Sequence, residues 1–121
     1  MNQLLNLITE IQNRPGLYIG SESVSKLYMF IQGYSYAHYE QDNDCLQEDE
    51  ATLAGFQTWV EQKYQMQISR SWDAIILFHS DNEIEAFQKF YALFEEYQAG
   101  LHSLNGKSTV SNGVSIKNGL Y

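Results

Sequence analysis

The chain has 121 residues, 44% of them hydrophobic, and its 15 acidic and seven basic side chains give a formal charge of −8. A chain of that size and apolar content reads as one domain able to bury roughly two-thirds of its extended-chain surface, which excludes global disorder. No run reaches the ~20 apolar residues of a membrane span. The cations Arg14, Lys26, Lys63, Arg70, Lys89, Lys107 and Lys117 stand singly, which argues against direct binding to nucleic acid or to an anionic membrane and favours a basic protein partner.

Asn2 to Asn13 sets Leu4, Leu5, Ile8 and Ile11 at helical spacing, with Pro15 and Gly16 beyond as a stop signal. This opening lacks a basic leader and reaches Glu10 early, so it does not read as a signal peptide. The lone Cys45 excludes an internal disulfide, and the two features together point to a reducing cytoplasm. Arg14 to Gly20 (Arg-Pro-Gly-Leu-Tyr-Ile-Gly) holds the only proline. It reads as a turn whose Leu17, Tyr18 and Ile19 form a plug beneath the helices, with Arg14 left to pair with a carboxylate or a helix end. Ser21 or Ser23 can cap a second helix over about Val24 to Tyr39, with Leu27, Phe30, Ile31, Tyr34 and His38 on its inner face. Gly33 inside that helix points to a close helix crossing.

Glu40 to Glu50 is a compositional break, with Glu40, Asp42, Asp44, Glu48, Asp49 and Glu50 and no cation. Its polarity and like charge predict an exposed loop, ending where Asp49 or a neighbour caps a third helix. That helix is expected over about Ala51 to Gln65, with Leu53, Phe56, Trp59, Val60 and Tyr64 inward. Trp72 to Phe78 fits either a buried strand or a short buried helix; with no strong strand before it to pair with, helix is the reading. Ser80 and Glu83 form a Ser-x-x-Glu box opening another helix. Its inner face carries Ile84, Phe87, Tyr91 and Phe94, and Gly100 marks its stop. In Leu101 to Tyr121 three Asn-Gly pairs separate short Ser/Thr/Val/Ile stretches, so the segment is a small β-ribbon or a docked polar tail. The expected fold is mainly α, about five helices packed layer on layer over residues 1–100, with 101–121 a polar segment of the same domain.

Chemistry finds little footing in these residues. His38, Asp42, Asp44 and Cys45 lie near one another, but an EF-hand counted from Asp42 would need glycine where Gln47 stands and glutamate where Leu53 stands. No cysteine or histidine pair has zinc spacing. Cys45 sits among carboxylates that raise a thiol pKa, against the thiolate a nucleophile needs. The reading is no enzyme, no metal and no cofactor. Asp42, Asp44, Glu48, Asp49 and Glu50 instead form a lure for a basic partner, with Tyr39, and nearby Tyr36 and Trp59, as aromatic anchors.

Arg14 to Gly20 resembles the start of the ATP-binding region of gyrase B-type ATPases. In that family the next helix supplies an acid and an asparagine, where this chain reads Ile31-Gln32-Gly33-Tyr34-Ser35-Tyr36-Ala37, and no glycine-rich phosphate loop follows, so ATP hydrolysis is not carried over. A longer likeness runs from residue 10 to about 97. Arg14 to Gly20, Gly33-Tyr34, Phe56-Gln57-Thr58-Trp59-Val60, Ser71 to Phe78, and Glu85-Ala86-Phe87 with Phe90 and Phe94 together resemble the bacterial immunity proteins encoded beside polymorphic or contact-dependent growth inhibition toxins. That resemblance implies a cytoplasmic, non-enzymatic protein that neutralises a cognate toxin C-terminal domain by binding it. An acidic inhibitor of this kind suits a basic nuclease. A small adaptor or self-associating protein is the alternative, and a nucleotide binder a more distant one.

Overall fold

A computed structural model describes the backbone of residues 3–39 and 44–110, and the side chains of these except 44, 45 and 102–110. Every regular element among the described residues is helical: α1 (Gln3–Asn13), α2 (Pro15–Tyr18), α3 (Val24–Ala37), α4 (Asp44–Lys63), α5 (Trp72–Phe78) and α6 (Glu83–Val110). Trp72 to Phe78 is thus the short helix, its Trp72, Ile75 and Ile76 buried on one side.

In α1 the i, i+4, i+7 residues Leu4, Ile8 and Ile11 are buried, as an amphipathic stripe requires. The Arg14 to Gly20 stretch is a single helical turn with Pro15 at its start, where a missing N–H costs nothing. Ile19 and Gly20 both donate their N–H to the Pro15 carbonyl, at 2.8 and 3.0 Å. Gly20 closes the turn at φ 91°, a conformation that a Cβ would strain. The expected plug is not formed. Leu17 is 68% exposed, Tyr18 and Ile19 are only half-buried, and Tyr18 meets the edge of Phe30 at 6.3 Å. Consecutive residues of one helical turn point about 100° apart, so three in a row cannot share an inward face. Arg14 stands exposed at the N-cap of α2 with no side-chain hydrogen bond to that helix end.

Ser23 caps α3 by accepting from the Lys26 N–H at 3.2 Å, and Val24, Leu27 and Ile31 are buried. Phe30, Tyr34 and His38 are half-buried. Gly33 is not at a helix crossing: it is exposed, and a Cβ added there would meet nothing within 4 Å.

The third long helix begins at Asp44 rather than near Ala51, so residues 44–50 are helical and not an open loop. Its inward stripe is Leu46, Asp49, Leu53, Phe56 and Val60, all buried, at alternating spacings of three and four. Trp59 and Tyr64 are half-buried. Past its end, Met66 N–H reaches the Glu61 carbonyl at 2.9 Å and Gln65 N–H the Gln62 carbonyl at 3.2 Å. That pattern puts Gln65 in the left-handed region at φ 53°, a Schellman-type stop made without glycine.

Ser80 does not cap α6; its hydroxyl donates back to the Ile76 carbonyl at 2.7 Å. Asn82 is the capping residue instead, accepting from the Glu85 N–H at 2.9 Å, while the Glu85 carboxylate accepts from the Asp81 N–H. The cap is therefore displaced by two residues, with its return bond running to Asp81 rather than to Asn82 itself, and Glu83 is left free for another contact. Ile84, expected inside, is 54% exposed. Gly100 does not stop α6, which continues to Val110, so Leu101 to Val110 is helix and not ribbon. The rest of the expected ribbon, 111–121, lies outside the described residues.

The helices pack α1 on α4, α4 on α5 and α5 on α3. At the centre, Phe56 of α4, Trp72 of α5 and Phe90 of α6 meet as three rings. Phe56 stands edge-on to Trp72 at 5.7 Å and to Phe90 at 5.5 Å, and Trp72 stacks on Phe90 at 4.7 Å. Such pairs contribute about 0.5–1.5 kcal/mol each beyond the area they bury. These rings belong to a unit of residues 1–91; a second unit begins at Ala92, within α6, where Leu93, Phe94 and Tyr97 are buried.

Candidate partner-binding surface

Two carboxylates that composition alone would leave in water are instead spent on helix ends. Asp49 is 1% exposed, and one of its oxygens accepts from the N–H of Leu4 at 3.0 Å and of Leu5 at 3.3 Å. It therefore caps α1 from 45 residues away, satisfying two of the four orphan donors of that helix and facing the positive end of its dipole. No acidic residue lies in the first turn of α1 itself. Glu83 does the same for α3: its oxygens accept from Ser23 Oγ at 2.8 Å, Ser25 N–H at 3.0 Å and Ser25 Oγ at 2.7 Å. Burial works to raise the Glu83 pKa, but the hydrogen bonds from Ser25, Ser23 and the Val24 N–H outweigh it and hold the carboxyl below its ordinary value. Nearby, the Tyr91 hydroxyl donates to the Ile8 carbonyl at 2.7 Å, and burial pushes its pKa well up.

Asp49 is thereby withdrawn from the expected contact residues, because a carboxylate buried between helices cannot meet a partner. The signal that places it is its register: once α4 is extended back to Asp44, Asp49 falls on the stripe of Leu46, Leu53, Phe56 and Val60. The others divide differently. Glu48 and Glu50 are exposed on the first turns of α4. Asp44 opens that helix and its side chain lies outside the described set, as does all of Asp42. Tyr39 is 79% exposed just past α3.

The outer face of α3 adds residues that periodicity did not single out. Met29 is 66% exposed and Tyr36 85% exposed, and with the exposed Gly33 they follow i, i+4, i+7 spacing, which puts all three on one stripe. Met29, Tyr36 and Tyr39 thus leave apolar and aromatic side chains exposed along and just past α3. Trp59 differs: it stacks on Phe56 at 5.9 Å, and the Lys63 ammonium lies 5.4 Å from its ring.

Charge along the chain after α3 is one-sided. Between Lys26 and Lys63 the chain carries no lysine or arginine but holds Glu40, Asp42, Asp44, Glu48, Asp49, Glu50 and Glu61. The last turn of α3 has no basic residue to offset the negative end of its dipole. Among the described residues no group of three His, Cys, Asp or Glu side chains could hold a metal ion, and no helix is long and apolar enough to cross a membrane. Comparison with family models, with characterised proteins and with solved structures finds no match.

Proposed function

We propose that this chain is an immunity-type protein of the cytoplasm that binds and neutralises a cognate toxin C-terminal domain, a nuclease with a basic surface, and performs no catalysis of its own. The observation that carries the reading is an exposed aromatic end of α3, followed in the chain by a run of carboxylates without a single cation. Carboxylates can occupy a site built for phosphate and steer a basic partner into place, while tyrosines supply the apolar contact. The likeness of residues 10 to about 97 to toxin-associated immunity proteins points the same way.

The test is co-expression with the C-terminal domain of any large open reading frame immediately upstream of the gene, followed by measurement of binding. Replacing Asp42, Asp44, Glu48 and Glu50 by their amides, with Asp49 left intact to preserve the fold, should slow association by roughly tenfold or more at low salt and flatten its salt dependence. Equal on-rates for this variant and the natural chain across salt concentrations would remove these carboxylates from the interface. A self-associating or adaptor role is the second reading, favoured by the exposure of Met29, Tyr36 and Tyr39. Sedimentation of the pure chain separates the two, since a toxin inhibitor need not self-associate through these residues.

A further inference from the structure

We infer that α1 and the first turns of α4, residues 46–54, open and close as one unit short of global unfolding, with Asp49 as its latch. The unit decides whether Glu48 and Glu50, exposed on those turns, stand at fixed positions on a helix. On the partner-binding reading above, a ligand that holds these two carboxylates in place therefore also tightens α1.

The two segments complete each other. α1 has no acidic residue in its first turn, and the oxygen that accepts from the Leu4 and Leu5 N–H groups comes from Asp49. α1 packs on α4, and the Asp49 bonds put the first turns of α4 at the N-terminal end of α1. The inward stripe of α4 is least buried at this end: Leu46 and Leu53 keep 7% and 8% of their exposure, Phe56 and Val60 none. The three-ring centre around Phe56 can therefore stay packed while the turns before it come loose.

Asp49 makes the opening cooperative. Its carboxylate is buried, so it cannot leave α1 without stranding two N–H groups away from water, and residues 46–54 cannot unwind while it stays bonded. Release of either segment removes the support of the other, which joins parts of two helices into one opening unit. α1 is also held by Tyr91 of α6, whose hydroxyl donates to the Ile8 carbonyl at 2.7 Å, and that bond must break in the same event. Tyr91 thus gives a handle on the unit through α1, and the exposed Ala51 a handle through α4.

Native-state hydrogen exchange of the isotopically labelled full chain in low concentrations of urea tests the inference. The amides of α1 and of residues 48–54 should share one opening free energy and one urea dependence, smaller than that of the amides of Ile76 and Phe90, which are buried in the core. Ala51→Gly, which weakens α4 at an exposed position, should lower protection about fivefold in both segments. Tyr91→Phe, which acts on α1, should lower the protection of residues 48–54 in the same proportion as that of α1. Ile76→Val, inside α5, should lower protection at Phe90 about threefold or more and leave both segments within about twofold. A single urea dependence for the whole chain, with α1 exchanging only on global unfolding, would overturn the inference. An Ala51→Gly variant that loosens residues 48–54 and leaves α1 as protected as before would overturn it too. No ligand takes part in the measurement, so a chain that binds no toxin can still show the unit, and one that lacks the unit can still bind its toxin.

Discussion

Replacing Asp49 by alanine strips α1 of its cap and leaves the Leu4 and Leu5 N–H groups without the oxygen they share at 3.0 and 3.3 Å. Hydrogen bonds to a charged group contribute about 1.5–3 kcal/mol each, and the two here share one oxygen, so they do not simply add. A charge at a partly buried helix end contributes up to about 2 kcal/mol. With the carboxylate 1% exposed, water cannot step in, and the total loss comes to about 3 kcal/mol. Asp49→Asn keeps one acceptor oxygen but loses the charge and introduces an amide needing its own partner, for a loss of about 1.5–2 kcal/mol. Unfolding entropy of about 2.1 cal/mol/K per residue makes 1 kcal/mol worth roughly 4 °C in a chain of this length, so the alanine variant should melt about 12 °C lower. Urea unfolding followed by far-ultraviolet circular dichroism measures both variants, with Glu48→Ala as the control. Glu48 is exposed on the neighbouring position, and its removal should stay within about 0.5 kcal/mol of the natural chain. An Asp49→Ala variant as stable as the Glu48→Ala control would refute the capping argument.

Glu83→Gln should destabilise by about 1–2 kcal/mol at neutral pH, because the amide cannot accept from Ser23 and Ser25 as the carboxylate does. A carboxyl with a lowered folded-state pKa stabilises above its unfolded pKa and loses that contribution as pH falls through the folded value, below the ordinary 4.5. The stability gap between Glu83→Gln and the natural chain should therefore shrink from pH 7 to roughly pH 3; a gap that stays constant with pH would show that the charge is not what Ser23 and Ser25 bind. Gln65→Gly should stabilise by about 0.5–1 kcal/mol, since Gln65 holds φ 53° at the end of α4 where only glycine is free of steric cost. A lower thermal midpoint for that variant would mean the Gln65 side chain contributes more than its strain takes away.

What could be read from residues alone was the local part of the fold. Leu4, Ile8 and Ile11 announce α1 by spacing, and Trp72 to Phe78 resolves to helix because no strand stands ready to pair with it. The failures come from groups whose partners lie far along the chain. Composition makes 44–50 a loop because its carboxylates repel one another, yet Leu46 and Asp49 bind that segment to the core and to α1, and the helix extends to include it. Ser80 and Glu83 match a capping box letter for letter, but Ser25 and Ser23 compete for Glu83 from 58 and 60 residues away and Asn82 takes over the cap. The same blindness affects the surface. Gly33 and Tyr36 share a helix with buried residues, and nothing in their spacing says that they are exposed.

The reach of Asp49 also sets an order of events for the newly made chain. α1 leaves the ribosome before α4, and an isolated helix of its 11 residues is too short to persist in water unaided. Its finishing carboxylate is synthesised 45 residues later, and that of α3 comes 58 to 60 residues after the serines it holds. Neither helix can therefore mature as an independent building block; each waits for a downstream element to arrive and dock. Folding should then proceed as one late, concerted step rather than helix by helix, and a fragment ending before Asp49 should remain largely unstructured while the full chain folds sharply.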